Sequence, residues 1–278
     1  RKNVVNKVLG SLKDMLNKER DQYELFWKEF GATLKEGFPS DIPNKEKLQD
    51  LALFRSTEGD KWTTLDEYVA RMKPEQKDIY FMTGDDLGKM VDSPYLEKLK
   101  VKGFEVILMA DPIDEWVSEA LKDFKGKKLQ SVMKDDLELD SEEEKKTKED
   151  EKKGFLERFK PLMESMQETL KEQIKEVQIS DRLTETPAVL VGSSHDPSAH
   201  MQKILSQMGQ DYPGMAPKRI LEINPKHPVI EKMMSISGDQ QKLWTEVLYS
   251  QALLNEGSNI PDPKKFSKQL AELMLNKQ

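Results

Sequence analysis

The 278-residue chain has no cysteine. Disulfides and thiolate metal sites are therefore excluded, and nothing points to an oxidising compartment. Histidine is nearly absent too, with only His195, His200 and His227. Five residues separate the first two, which sets them about 140° apart on a helix, not on the shared face that paired metal ligands need. Ser193, Ser194, His195 and Asp196 are neighbours in sequence, whereas catalytic triads assemble from distant segments, and the second glycine of a nucleophile elbow is missing. Gly84-Asp85-Asp86-Leu87-Gly88 follows an apolar run but is acidic and lacks the Lys-Ser/Thr of a phosphate-binding loop. No apolar stretch approaches the roughly 18 residues of a membrane-spanning helix. A formal net charge of −7 argues against a general nucleic-acid binder. The start, Arg1-Lys2-Asn3-Val4-Val5-Asn6-Lys7-Val8-Leu9, has neither an initiator Met nor a signal-peptide core, and reads as the middle of a helix in a longer protein.

What is present is a polar but foldable chain, 36% hydrophobic and 34% charged, long enough for about two domains. Val4, Val5, Val8, Leu9, Leu12 and Leu16 make one amphipathic face, and Tyr23, Phe26, Trp27 and Phe30 repeat the helical period in a second helix. Asn44 heads a helix through Leu48, Leu51 and Ala52. Thr64 and Glu67 form a capping box opening another helix. The pattern then changes. Residues 78–83 and 105–110 are short apolar strands flanking a helical stretch that contains Tyr95, Leu96 and Leu99, which predicts a right-handed βαβ crossover in a sheet covered on both faces. A helix headed by Asp111-Pro112 follows, then a strand over 128–132.

Residues 134–153 are the clearest boundary. Sixteen of these twenty are charged, ten acidic and six basic, so they read as a solvated helix or linker with no core of its own. From Phe155 a strong helix is predicted, with Phe159, Leu162, Met166, Leu170, Ile174 and Val177 continuing its stripe. Strands follow at 176–180, 187–191 and 219–223, Tyr212-Pro213-Gly214 makes a loop, and two helices end the chain. The fold class is α/β followed by α+β: a small βαβ-containing portion (1–133), a charged boundary segment (134–153), then a long connecting helix and a small sheet ending in a helix pair (154–278). Such a terminal pair has to be covered by the sheet or by a second copy, as in a two-fold four-helix bundle.

Asp196 to Gly209 reads as a complete short helix, with Asp196 as N-cap, Pro197 at the first position and Gly209 as the stop. Met201, Ile204, Leu205 and Met208 make its apolar stripe. At helical spacing such a stripe usually means core, but two methionines suit a promiscuous contact surface.

Several of these segments carry a resemblance. Arg1-Lys2-Asn3-Val4-Val5, Phe26-Trp27-Lys28-Glu29-Phe30-Gly31, Asp66-Glu67-Tyr68-Val69-Ala70-Arg71-Met72, Ser93-Pro94-Tyr95-Leu96-Glu97, Gly103-Phe104-Glu105-Val106 and Asp111-Pro112-Ile113-Asp114-Glu115-Trp116 resemble the later middle domain of the heat-shock protein 90 chaperone family. Arg182-Leu183-Thr184-Glu185-Thr186-Pro187-Ala188, Met201, Glu222-Ile223-Asn224-Pro225-Lys226-His227-Pro228 and Gln251-Ala252-Leu253-Leu254 resemble its C-terminal dimerisation domain. The ending Leu275-Asn276-Lys277-Gln278 lacks the acidic tail of eukaryotic cytosolic members, so the resemblance is to the bacterial high-temperature protein G type, without a tail for tetratricopeptide co-chaperones.

That resemblance implies a cytoplasmic, ATP-driven, stress-related chaperone that works as a homodimer on unfolded or partly folded clients, with no nucleic acid or membrane among its partners. The family's ATP-binding domain and its catalytic-loop arginine precede the motif at Arg1. The chain itself is thus expected to hold no cofactor and no catalytic residue, with ATP and Mg belonging to the intact protein. Client contact is implied for Glu115, Trp116, Met201, Ile204 and Leu205, with Met208 extending the stripe. A further family contact position, usually Met, is Pro197 here, so the contact surface is expected to begin at Met201. The dimer interface is implied at Trp244, Val247, Leu248, Leu270, Leu273 and Met274. The alternative is a structural dimerisation and coupling module that does not itself touch clients.

Overall fold

The computed structural model describes residues 2–209 and 217–275, and the chain divides into two compact units. The first comprises residues 1–91 and 103–132, the second residues 92–102 and 133–278.

In the first unit, α1 (Lys2–Lys18), α2 (Arg20–Lys35), α3 (Gly37–Ser40) and α4 (Lys45–Leu51) precede a hairpin of β1 (Phe54–Ser56) and β2 (Gly59–Thr63). Next come α5 (Leu65–Arg71), β3 (Ile79–Thr83) and α6 (Leu87–Val91). After α7 (Glu97–Lys102), which belongs to the second unit, the chain returns through β4 (Val106–Met109), α8 (Asp114–Ala120), β5 (Asp123–Phe124) and β6 (Lys127–Ser131). The sheet order is β2-β1-β4-β3-β6-β5, with β3 parallel to both β4 and β6. Every residue of β3 and β4 is buried, as expected of continuous apolar strands in a covered sheet. Leu9, Leu12 and Leu16 of α1 and Tyr23 and Trp27 of α2 pack into the core with Leu51, Phe54, Leu65 and Ile107. Val4 and Val8, expected on the same face, are 66% and 51% exposed, so the buried line is narrower than the stripe. The Thr64–Glu67 capping box is formed, at 2.7 and 3.1 Å. The β1–β2 hairpin was not anticipated: β1 is three residues long and carries Arg55, whose guanidinium lies 4.1 Å from the centre of the Trp62 ring. Helix α8 begins at Asp114 rather than at Pro112. Asp111 does not cap it; its own N–H donates to the Asp114 carboxylate (3.0 Å).

In the second unit, α7 is joined by α9 (Glu142–Thr169), β7 (Ile174–Ile179), β8 (Ala188–Val191), α10 (Ala199–Gln207), β9 (Arg219–Ile223), α11 (Pro228–Met233), α12 (Gly238–Glu256) and α13 (Pro263–Leu275). The sheet order is β7-β9-β8, with β7 parallel and β8 antiparallel to β9. Phe159, Leu162, Met166 and Leu170 from the α9 end pack with Leu221, Ile223, Ile230, Leu248 and Ala252.

Three expectations change here. The long helix starts at Glu142, thirteen residues before Phe155, because Ser141 and Glu144 form a second capping box (2.8 and 3.2 Å) and the charged first half is helical. The same helix ends at Thr169, and Ile174 and Val177 lie in β7 instead of continuing its stripe. Nor is the charged segment wholly solvated. Leu139 is buried, and Asp140 is ringed by the ammonium groups of Lys98 (2.8 Å), Lys148 (3.1 Å) and Lys102 (3.5 Å). The Tyr212-Pro213-Gly214 loop and the residues after Leu275 lie outside the described residues. Among the described residues no helix is long and apolar enough to cross a membrane.

Candidate functional site

Four helices display the residues singled out from the sequence. Helix α10 is capped by Ser198, whose hydroxyl accepts the Met201 N–H (2.8 Å); Asp196 and Pro197 belong to the turn before it. Gly209, with φ of +72°, follows as the left-handed stop. Met201, Ile204 and Leu205 are half-buried, Met208 is 60% exposed, and no residue of the helix is fully buried. The stripe therefore rests on the unit without entering its core.

The turn before α10 is held by cations. Lys134 donates to the carbonyls of Ser193 (3.0 Å) and Asp196, and Arg219 on β9 reaches the Pro197 carbonyl (3.4 Å) while pairing with Glu256 (2.8 Å). Beneath it, Arg182 grips Glu222 through two bonds of 2.9 Å, and Ser180 donates to the same carboxylate.

Helix α8 carries Glu115 and Trp116. Its first residue, Asp114, is 1% exposed and pairs with the equally buried Lys35 at 2.8 Å; Lys35 also reaches Asp111 at 2.7 Å. Burial pushes the Asp114 carboxyl above its ordinary pKa, and the Lys35 ammonium opposes that push. The two candidate residues part company: Trp116 is half-buried, whereas Glu115 is only 4% exposed.

On α12, Val247 and Leu248 are buried in this unit and Trp244 is half-buried at the core edge. On α13, Leu270 and Leu273 are half-buried, Met274 is 64% exposed, and no residue is fully buried. Helix α13 is tied to α12 by Lys265–Glu246 (2.9 Å) and by a Gln269–Glu246 hydrogen bond. Leu254 and Leu275 are exposed on the same two helices and were not among the residues singled out for an interface.

A further feature, the Glu97 cradle, leaves no local mark in the sequence. Its carboxylate accepts the backbone N–H groups of Thr184 (2.6 Å), Glu185 (2.8 Å) and Thr186 (3.1 Å), together with the Thr186 hydroxyl. Burial raises the Glu97 pKa, but these donors outweigh it and hold the carboxyl below its ordinary value. A groove of about 610 Å³ beside α9 is lined by Lys98, Asp140, Lys148, Lys152 and Asp181, whose charges are paired with one another. These charges form structural ion pairs.

A family model described as Hsp90 protein matches residues 1–278. The chaperone protein HtpG of Bdellovibrio bacteriovorus is 65% identical over 275 residues, which is 99% of this chain and 44% of that protein. HtpG of Geobacter sulfurreducens is 42% identical over 281 residues, and HtpG of Magnetococcus marinus 43% over 284, each spanning 99% of this chain. The chain covers 43% and 44% of those two proteins, so it spans under half the length of these bacterial relatives.

Proposed function

The chain belongs to the heat-shock protein 90 family, and on that premise we propose that it is the client-holding and dimerising part of a bacterial chaperone. The first unit corresponds to the end of the family's middle domain and the second to its C-terminal domain. The observation that carries the reading is the same on two helices: neither α10 nor α13 has a single fully buried residue, although each has an apolar stripe. Helices of nine and thirteen residues are marginal in water without cover. For α13, the cover is a second copy, which meets Leu270, Leu273, Met274 and the neighbouring Leu254. For α10, the cover is transient and comes from unfolded segments laid against Met201, Ile204, Leu205 and Met208. Trp116 is a second contact. Burying one such side chain contributes about 1.5–3 kcal/mol, so a few together give weak, broad affinity.

The buried state of Glu115 favours the alternative reading at that one position, where the carboxylate supports α8 and Trp116 makes the contact. ATP binding and hydrolysis, with Mg, belong to the intact cytoplasmic protein and not to this chain.

The test is a titration of an unfolded fluorescent protein against the chain and against Trp116→Ser and Met201→Ser. We expect weaker binding by each variant with unchanged circular dichroism. Equal affinities in folded variants would leave only the dimerisation and coupling role.

A further inference from the structure

We propose that Lys134 is the positioning residue of helix α10, fixing how its stripe is presented from the segment where the chain leaves the first unit. The idea rests on the reading of α10 as a client surface.

The chain makes three backbone hydrogen bonds within residues 132–135. Val132 donates its N–H to the Phe81 carbonyl (2.9 Å) and so ends the first unit's sheet. The Met133 carbonyl then accepts the Gly192 N–H (3.1 Å), and Asp135 donates to the Gly192 carbonyl (3.0 Å), so that Lys134 and Gly192 form a parallel bridge just past β8. From this bridge the Lys134 ammonium gathers the carbonyls of Ser193 and Asp196, two residues ahead of the Ser198 cap. The Lys134 carbonyl is held in turn by Arg182 (2.7 Å), itself locked to Glu222.

Polar contacts matter here because burial does so little. From residue 193 to residue 209 no described side chain is fully buried. The turn over 193–197 is polar apart from Pro197, and several of its carbonyls converge on the two cations, Lys134 and Arg219. Without Lys134, two carbonyls lose a charged donor in a turn that burial does little to hold. The geometry thus gives the α10 surface a handle at its own N-terminal turn, outside the stripe itself.

The experiment compares the 278-residue chain with Lys134→Met, which keeps an unbranched four-atom stem but removes the donors, and with Lys134→Arg, which restores them. Hydrogen exchange by mass spectrometry is read over residues 193–209 and over β7 and β9. A charged hydrogen bond lost from an otherwise unburied turn should speed exchange there by at least about tenfold. We expect this in Lys134→Met with β7 and β9 unchanged, and its reversal in Lys134→Arg. Unchanged exchange over 193–209, or an equal rise across the whole unit that Arg does not reverse, would overturn the proposal. Affinity for the unfolded probe is measured alongside. If Met201→Ser leaves it unaltered, the client reading fails, while the exchange result still decides the role of Lys134.

Discussion

Replacing Lys35 by Met should destabilise the first unit by about 3–5 kcal/mol at neutral pH, the usual cost of stripping one partner from a buried ion pair. Lys35 and Asp114 are 3% and 1% exposed, and the ammonium lies 2.8 Å from the carboxylate. Met preserves the aliphatic stem but not the ammonium, which also lies 5.4 Å from the centre of the Phe54 ring. Asp111, with nearly half its side chain exposed, can turn to water. Asp114 cannot, and it retains only the Asp111 N–H (3.0 Å). Its pKa, already raised by burial, must rise further once the opposing ammonium is gone. A carboxyl whose folded pKa exceeds its unfolded value penalises folding above the folded pKa, and the penalty vanishes below the unfolded one. The deficit of Lys35→Met should therefore be largest at pH 7 and shrink as the pH falls toward about 4, the ordinary carboxylate value. Lys35→Met with Asp114→Asn should regain much of the loss. Urea denaturation followed by tryptophan fluorescence reads this unit, because it holds Trp27, Trp62 and Trp116, three of the chain's four tryptophans. A loss under about 1 kcal/mol, or a deficit equal at pH 7 and pH 5, would refute the reasoning.

How much of this was legible in the sequence depends on how local each signal is. The Thr64–Glu67 box and the apolar strands β3 and β4 were readable because their causes lie within a few residues. The same box at Ser141 and Glu144 was present but was hidden by the charge density around it. Helices tolerate that density when opposite charges fall three or four apart, as in Glu149–Lys153. The β1–β2 hairpin was not readable, since a three-residue strand acquires its meaning from pairing with β4 some fifty residues later. At α10 the local rules gave the stripe and the Gly209 stop but misplaced the start, because Asp196, Pro197 and Ser198 are all start signals and only the turn's geometry selects Ser198. The Lys134 contact lies 59 and 62 residues from its carbonyls, beyond any spacing rule. On α12 the apolar residues surround much of the helix, so periodicity could not separate Val247 and Leu248, which face this unit's core, from the exposed Leu254.

Met274→Lys should convert the proposed dimer to a monomer at micromolar concentration without lowering the stability of the second unit, because that side chain is 64% exposed in the single chain. Sedimentation equilibrium checks this, and an undisturbed dimer would remove Met274 from the interface. Glu97→Gln should alter the acid response of the second unit. Burial raises the Glu97 pKa, yet the Thr186 hydroxyl and the N–H groups of Glu185, Thr184 and Thr186 hold it below the ordinary glutamate value. A group depressed in the folded state contributes stability that is present above its unfolded pKa and is lost as the pH falls through its folded one. Gln has no proton to gain there, so the variant should be less stable near neutrality and should lose less of its remaining stability on acidification. Its amide also turns an NH2 group toward a cradle built of donors, which is why the cost at neutrality is not recovered by shape alone. Denaturation midpoints followed from pH 6 to pH 3 decide it: parallel curves for the chain and Glu97→Gln would mean that another carboxylate sets the acid limit, with the Lys98–Asp140–Lys148 cluster in the same unit next in order, since Asp140 is also held below its ordinary value there by Lys98 and Lys148 against the opposing effect of burial.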